Sequence, residues 1–193
     1  MYTAAADIRL LKGFFSPWLA AKYFEETLGF THWHRVLKSE ADGADVPLKR
    51  GMAYASTSES DYRYAGLILP GQGWSIPLSD ILTRLEAKTE FRFNSVLLNH
   101  YKNGKEKIGW HSDKESQLGA NPVIATVNLG AARHFHFRPR EVDAENPGTE
   151  SVLLESGDVL LMLENCQANH QHAILVEKEV ALPRISLTYR LTL

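Results

Sequence analysis

The sequence predicts an α+β fold, mainly β: a double-stranded β-helix (jelly-roll) core braced by N-terminal helices. Three observations carry this prediction. Apolar residues recur at helical spacing in two stretches, Trp18–Leu28 and Pro77–Ala87. From Phe91 onward the chain breaks into about eight short strand-like runs with turn signals between them. Strands that follow helices, rather than alternate with them, pack as a double-sheet barrel with the helices on one face.

The elements follow in order. Ile8–Leu11 is a short apolar run expected to be a strand. Ser16-Pro17 reads as an N-cap followed by proline at the first helical position. Leu19, Tyr23, Phe24 and Leu28 then share one helical face, and Gly29 is expected to end the helix. Thr31–Leu37 is strand-like, with His32 and His34 on one face as partly exposed histidines. Glu40–Asp45 is acidic, contains Gly43 and is expected to be a loop. Pro47–Arg50 is a small basic cluster, either a solvated turn or a phosphate contact made through Arg50. Asp61–Tyr64 places Tyr62 and Tyr64 on one side of an extended segment, where paired aromatics pack a core or stack an unpaired base. Gly71–Trp74 is expected to turn, and Leu78, Ile81, Leu82 and Leu85 stripe the second helix. The strands are expected at 93–101, 108–113, 123–129, 133–138, 151–155, 158–163, 172–176 and 184–192. Turn signals stand at Asn103-Gly104, Asn146-Pro147-Gly148 and Gly157-Asp158.

At 193 residues and 44% hydrophobic, the chain suits one structural domain with a sizeable core. A net charge of −2 gives no global basic field, so any nucleic-acid contact must come from a local patch. Cys166 is the only cysteine, which rules out an intramolecular disulfide and fits a reducing cytoplasm. The first residues lack the basic and apolar regions of a signal peptide, and no segment is long enough to span a membrane. The expectation is a cytoplasmic, monomeric protein.

The chemistry concentrates at His111-Ser112-Asp113. On an extended chain, side chains at i and i+2 point to one face, so this imidazole and carboxylate can grip one ion together. A third ligand must come from elsewhere, and His172 is the best candidate, with His170 two residues before it as the alternative. Two histidines and a carboxylate on one face of an octahedron form the arrangement used by non-haem Fe(II) oxygenases. Arg184 and Arg190 stand on one face of a mostly apolar strand, with Ile185, Leu187 and Leu191. Inward-facing arginines there need anionic partners, because burying an unpaired charge is costly.

Asn99, Tyr101, the His-x-Asp, His172, Arg184 and Arg190, in that order, make the chain resemble the AlkB family of Fe(II)/2-oxoglutarate dioxygenases from about Pro47 to the C-terminus. The resemblance implies Fe(II) on His111, Asp113 and His172. In the family the second histidine stands a short fixed distance before the first arginine, which His172 fits better than His170. It implies 2-oxoglutarate as the anion between Arg184 and Arg190, with Asn99, Tyr101 and Thr188 lining that pocket and O2 as the oxidant. It also implies an extension, 1–90, carrying helices and nucleotide-recognition segments ahead of a dioxygenase core, 91–193. The implied reaction is oxidative demethylation of bases such as 1-methyladenine and 3-methylcytosine, in DNA more than RNA, with succinate, carbon dioxide and formaldehyde as products. Tyr62, Tyr64, Glu115 and Arg50 are the substrate contacts the resemblance suggests. Lys114 departs from the family, where many members carry an acid, and bears on substrate preference. Lys102, Lys105 and Lys107, and Arg133, Arg138 and Arg140 with His134 and His136 between them, are basic runs suited to phosphate tracking. The 38–46 loop is the candidate for filling the gap left by a flipped base. The competing readings are a 2-oxoglutarate oxygenase of proteins or small molecules, and a metal-binding barrel without catalysis.

Overall fold

Ser16 caps the first helix as its position predicts: its hydroxyl accepts from the Leu19 N–H, and Pro17 opens helix α1, Pro17–Phe30. The helix does not stop at Gly29. A glycine ends a helix by taking the left-handed conformation, and Gly29 is not among the glycines with positive φ. The second helix, α2, spans Ile76–Thr89 and buries Leu78, Ile81 and Leu85, while Leu82 is partly buried. The computed structural model describes residues 2–3, 7–141 and 148–193. Apart from Gly148, the turn expected at Asn146-Pro147-Gly148 lies outside the described residues.

Before α2 the described strands are β1 (Tyr2–Thr3), β2 (Ile8–Leu11), β3 (His34–Ser39), β4 (Asp45–Ser56), β5 (Tyr62–Tyr64), β6 (Leu67–Leu69) and β7 (Gly71–Gln72). After it come β8 (Ser95–Tyr101), β9 (Ile108–His111), β10 (Ile124–Gly130), β11 (Arg133–Pro139), β12 (Glu150–Leu154), β13 (Val159–Met162), a short helix α3 (Cys166–Asn169), β14 (His170–Ile174) and β15 (Arg184–Arg190). A 3-10 turn, Ser116–Leu118, follows β9.

Three elements in the first half differ from the sequence reading. Pro47–Arg50 is not a turn but part of β4, a 12-residue strand. Its outer half pairs with β3, where Pro47 faces Val36, and its inner half pairs with β8. Proline near a sheet edge costs no central ladder bond, and that outer half hides the strand from a pattern reading. Gly71–Trp74 begins with the strand β7, parallel to β4. A side chain at Gly71 would meet the Glu59 and Ser60 carbonyl oxygens at 2.4 Å, so the close approach requires glycine. The third is β6, which the sequence left unassigned. It closes on β5 through Ala65-Gly66, both with positive φ, a two-residue hairpin turn.

Eleven strands form one sheet in the order β1-β2-β13-β10-β15-β8-β4-β3-β6-β5, with β7 beside β4. Four form a second, β12-β11-β14-β9. Together they make the expected double-sheet core, with α1 and α2 on the outer face of the large sheet. Strands on both sides of residue 90 share that sheet, since β4 pairs with β8 and β2 with β13. Alternation along the central strands sorts the side chains. Ile185, Leu187 and Tyr189 of β15, Val96 and Leu98 of β8, and Val127 and Leu129 of β10 pack with the helices. Their alternates point between the sheets, where Ile124, Phe135, Phe137, Leu160, Met162 and Ile174 form a second core. The same alternation turns Arg184, Thr188, Arg190, Asn99 and Tyr101 inward together, onto one cavity.

Arg133 was expected on a basic surface run, but its side chain is fully buried. Its Nε donates to Glu177 at 3.1 Å and its Nη2 to the Glu106 carbonyl at 3.2 Å, while the guanidinium lies over the Tyr101 ring. Burial would raise the Glu177 carboxyl, but hydrogen bonds from His134 and Arg133 outweigh it and hold Glu177 below the usual range. Glu177→Ala is expected to destabilise the protein by about 3 kcal/mol at neutral pH, because it strands a buried cation. A carboxylate with a depressed folded pKa contributes its stability above the unfolded value and loses it as pH falls through the folded value. The deficit of the variant, measured by urea unfolding, should therefore shrink below about pH 4.

Candidate active site

His111 is the last residue of β9, and the register sets it directly opposite His172 of β14. Their rings lie 4.2 Å apart between centroids. The strand stops at His111 instead of continuing to 113, and Asp113 reaches the same point from the loop beyond, with Oδ1 3.6 Å from His111 Nε2. Among the described residues, His111, Asp113 and His172 form the group whose ligand atoms, all within 4.8 Å of one another, can share a metal ion. His170, the alternative ligand, lies outside the group.

The donor set suits a divalent metal. His111 Nδ1 stands 2.9 Å from the Gly109 carbonyl, a bond that leaves Nε2 as the free lone pair. His172 stacks on Phe135 at 5.2 Å, and burial brings its pKa down to about 3, so it is a neutral ligand at ordinary pH. Burial works against ionisation of Asp113, but the Arg190 guanidinium beside it outweighs burial and holds the carboxyl below its usual range.

Arg190 is buried behind Asp113. Its Nη2 lies 3.6 Å from Asp113 Oδ2 and its Nη1 donates to the Tyr62 hydroxyl at 2.9 Å. Arg184 sits at the other end of β15's inward face. Its Nε donates to Asn128 Oδ1, its guanidinium faces the Tyr101 ring at 5.2 Å, and burial lowers its pKa to about 10, still a cation at neutral pH. Both terminal nitrogens of Arg184 are buried and, among the described residues, have no hydrogen-bond partner. A buried guanidinium with two free N–H faces calls for a bidentate anion. His111, Asp113 and His172 would hold Fe(II), and a carboxylate of 2-oxoglutarate would be the anion that Arg184 takes, so the residues present fit both. Asn99, Tyr101 and Thr188 line the same cavity, as do Thr126 and Ser186.

The expected substrate contacts divide. Tyr62 is no exposed platform: it is fully buried, stacked on Tyr54 at 4.5 Å and bonded to Arg190. Arg50 is no phosphate contact either. It is 9% exposed and its Nε donates inward to Asn99 Oδ1 at 2.5 Å, because its place on β4 faces the cavity side. Tyr64 is also buried, at 8% exposure, and Glu115 is half-buried, but both border the entrance. With Ala65, His111, Ser112 and Lys114 they line a groove of about 300 Å³ at the mouth of the cavity. Burial, then the Asp113 charge, raises the Glu115 carboxyl, and its Oε2 has no hydrogen-bond partner among the described residues. Of the basic runs, Lys102, Lys105 and Lys107 are exposed, while Arg138 folds over the Trp110 ring at 4.3 Å and bonds Gln171.

Sequence reading missed Asn128, Phe135, Tyr54 and Gln167. Asn128 and Phe135 lie on interior faces that alternation assigns once the register is known, and Asn128 was the one findable signal, a polar residue inside an apolar run.

The model of the 2OG-Fe(II) oxygenase superfamily matches residues 7–190. The chain is 32% identical over 165 residues to the DNA oxidative demethylase ALKBH2 of Bos taurus, covering 83% of this chain and 55% of that protein. It is 34% identical over 152 residues to the alpha-ketoglutarate-dependent dioxygenase alkB homolog 3 of Mus musculus, covering 76% and 53%. The chain thus spans about half the length of the curated relatives it matches. The solved structure of OsALKBH1 superposes with a TM-score of 0.65 at 19% identity, covering 98% of this chain and 100% of that one, a likeness of fold.

Proposed function

The chain belongs to the 2OG-Fe(II) oxygenase superfamily, and from that premise we propose that it oxidatively removes alkyl groups from N-alkylated bases in nucleic acid, DNA before RNA. One observation carries the reading: the His111–Asp113–His172 triad and the unpartnered ends of Arg184 meet in a single cavity. The names of the relatives above, a DNA oxidative demethylase among them, support the substrate class.

In this reading His111, Asp113 and His172 hold Fe(II), which when bound supplies the oxidising chemistry with O2 and 2-oxoglutarate. The chain's own residues prepare it. Arg190 keeps Asp113 ionised and fixes the metal end of the cavity. Arg184, locked by Asn128, docks the distal carboxylate of the cosubstrate bidentately. Tyr101, Leu97, Ile108, Phe135 and Ile174 wall the cavity and exclude water. Tyr64 and Glu115 hold the base at the mouth, the ring against the aromatic and the carboxyl against the base edge. A base enters only out of its stack, so the substrate is flipped or single-stranded. Hydroxylation of the N-linked methyl leaves a hemiaminal, which collapses with release of formaldehyde.

The test incubates the protein with Fe(II), 2-oxoglutarate and ascorbate on oligonucleotides carrying 1-methyladenine or 3-methylcytosine. The expected result is succinate and formaldehyde in step with loss of the methyl mass. Methylated oligonucleotides left unchanged, alongside turnover of a protein or small molecule, would overturn it.

A further inference from the structure

Asp113 owes its position to a contact that the ladder does not supply. The chain leaves β9 at His111, and residues 112–115 lie in neither strand nor helix. The Asp113 backbone N–H is therefore a buried donor outside any sheet, and an unpaired one would cost about 1–3 kcal/mol. It is satisfied by a side chain 54 residues downstream: Gln167 Oε1 accepts it at 2.8 Å. Gln167 is 2% exposed. Its other end is also held, since Nε2 donates to Met162 Sδ at 3.3 Å. Both terminal atoms of the amide are thus engaged, and the side chain has one orientation. A second tether lies beside it, where the Ser112 hydroxyl donates to the His170 carbonyl at 2.7 Å.

We propose that Gln167 is a positioning residue for the metal site, fixing the Asp113 carboxylate at the distance the two imidazoles require. The inference rests on the reading of His111, Asp113 and His172 as metal ligands. Its physical content is preorganisation. The segment 167–172 carries one ligand, His172, and through Gln167 and the His170 carbonyl it also fixes the loop that carries another, Asp113. Without the tether, the loop must be ordered by the metal itself, and part of the binding free energy is spent on that ordering. Partners one shell out from a metal are worth about 10- to 100-fold in affinity.

Two substitutions of nearly equal length separate the acceptor from the volume. Gln167→Met keeps the bulk and removes the oxygen. Gln167→Glu keeps an oxygen that accepts from Asp113. Each is titrated with Co(II), a spectroscopic stand-in for Fe(II), and the metal-free proteins are melted in parallel. Gln167→Met is expected to bind Co(II) about 10- to 100-fold more weakly, with an altered visible spectrum, and Gln167→Glu to restore most of the affinity. A residue that merely stabilises the fold would lower the melting temperature and leave the affinity and spectrum of the folded protein unchanged. That result, or equal losses in both variants, overturns the proposal. Should Gln167→Met fail to fold, Gln167→Asn, shorter by one methylene, takes its place with the same expected loss. The parent protein and Asp113→Ala are the controls. If they bind Co(II) alike, the ligand assignment itself has failed. If only the parent binds and Gln167→Met matches it, the positioning role alone has failed.

Discussion

Asp113→Ala is expected to do two separable kinds of damage. Metal affinity falls by at least about 100-fold, since the residue is a ligand and even the partners of ligands are worth about 10- to 100-fold. The metal-free protein also loses about 3 kcal/mol, because Arg190 is left as a buried cation without its carboxylate. Arg190 then keeps only the Tyr62 hydroxyl as a partner among its described contacts with side chains. Calorimetric titration with Fe(II) under anaerobic conditions reads the first effect. Urea unfolding in the presence of a chelator reads the second. Parent-like affinity in the variant would remove Asp113 from the ligand set, whatever happened to stability.

Arg184→Met is expected to behave in the opposite way towards stability. The Arg184 guanidinium is buried, and among the described residues neither terminal nitrogen has a hydrogen-bond partner, an unfavourable state that burial, with the Arg133 charge, drives towards deprotonation. Removing it leaves Asn128 Oδ1 without a donor, a cost of about 1–3 kcal/mol, but also removes the burial penalty of the charge. The two effects offset, and the variant should unfold at no lower a urea concentration than the parent. The affinity for 2-oxoglutarate, by contrast, should fall by about 2–5 kcal/mol, the usual consequence of truncating one partner of a buried charge pair. Titration of 2-oxoglutarate into the Mn(II)-loaded protein measures this. Unchanged affinity would mean that Arg184 is not the distal anchor.

The two variants draw their contrast from the same strand. Arg184 and Arg190 share a face of β15, yet among the described residues Arg190 has a carboxylate beside it and Arg184 has none in hydrogen-bond contact. Burial is equal, at 1% exposure each, so the difference comes entirely from what stands opposite. A site built this way has a permanent counter-charge at the metal end and waits for its ligand at the other.

By itself the sequence determined whatever depends on local periodicity. The spacing of Leu78, Ile81 and Leu85 defined α2 and its buried face, Ser16-Pro17 defined the start of α1, and the even spacing from Arg184 to Arg190 put both guanidiniums on one side of their strand. The i, i+2 spacing put His111 and Asp113 on one face, and the family resemblance added His172 as the third ligand. Only the tertiary structure decided which residues meet across long separations, because a strand's register and its neighbours are set by packing over the whole sheet and leave no local trace. Hence β4 hid behind Pro47 and Lys49, Tyr62 and Arg50 turned inward where a surface role was expected, and Arg133 proved to be an internal brace. Asn128 reaches Arg184 from the neighbouring strand β10, and Gln167 reaches the Asp113 backbone from the short helix α3, contacts between residues more than 50 positions apart that exist only once the chain has folded.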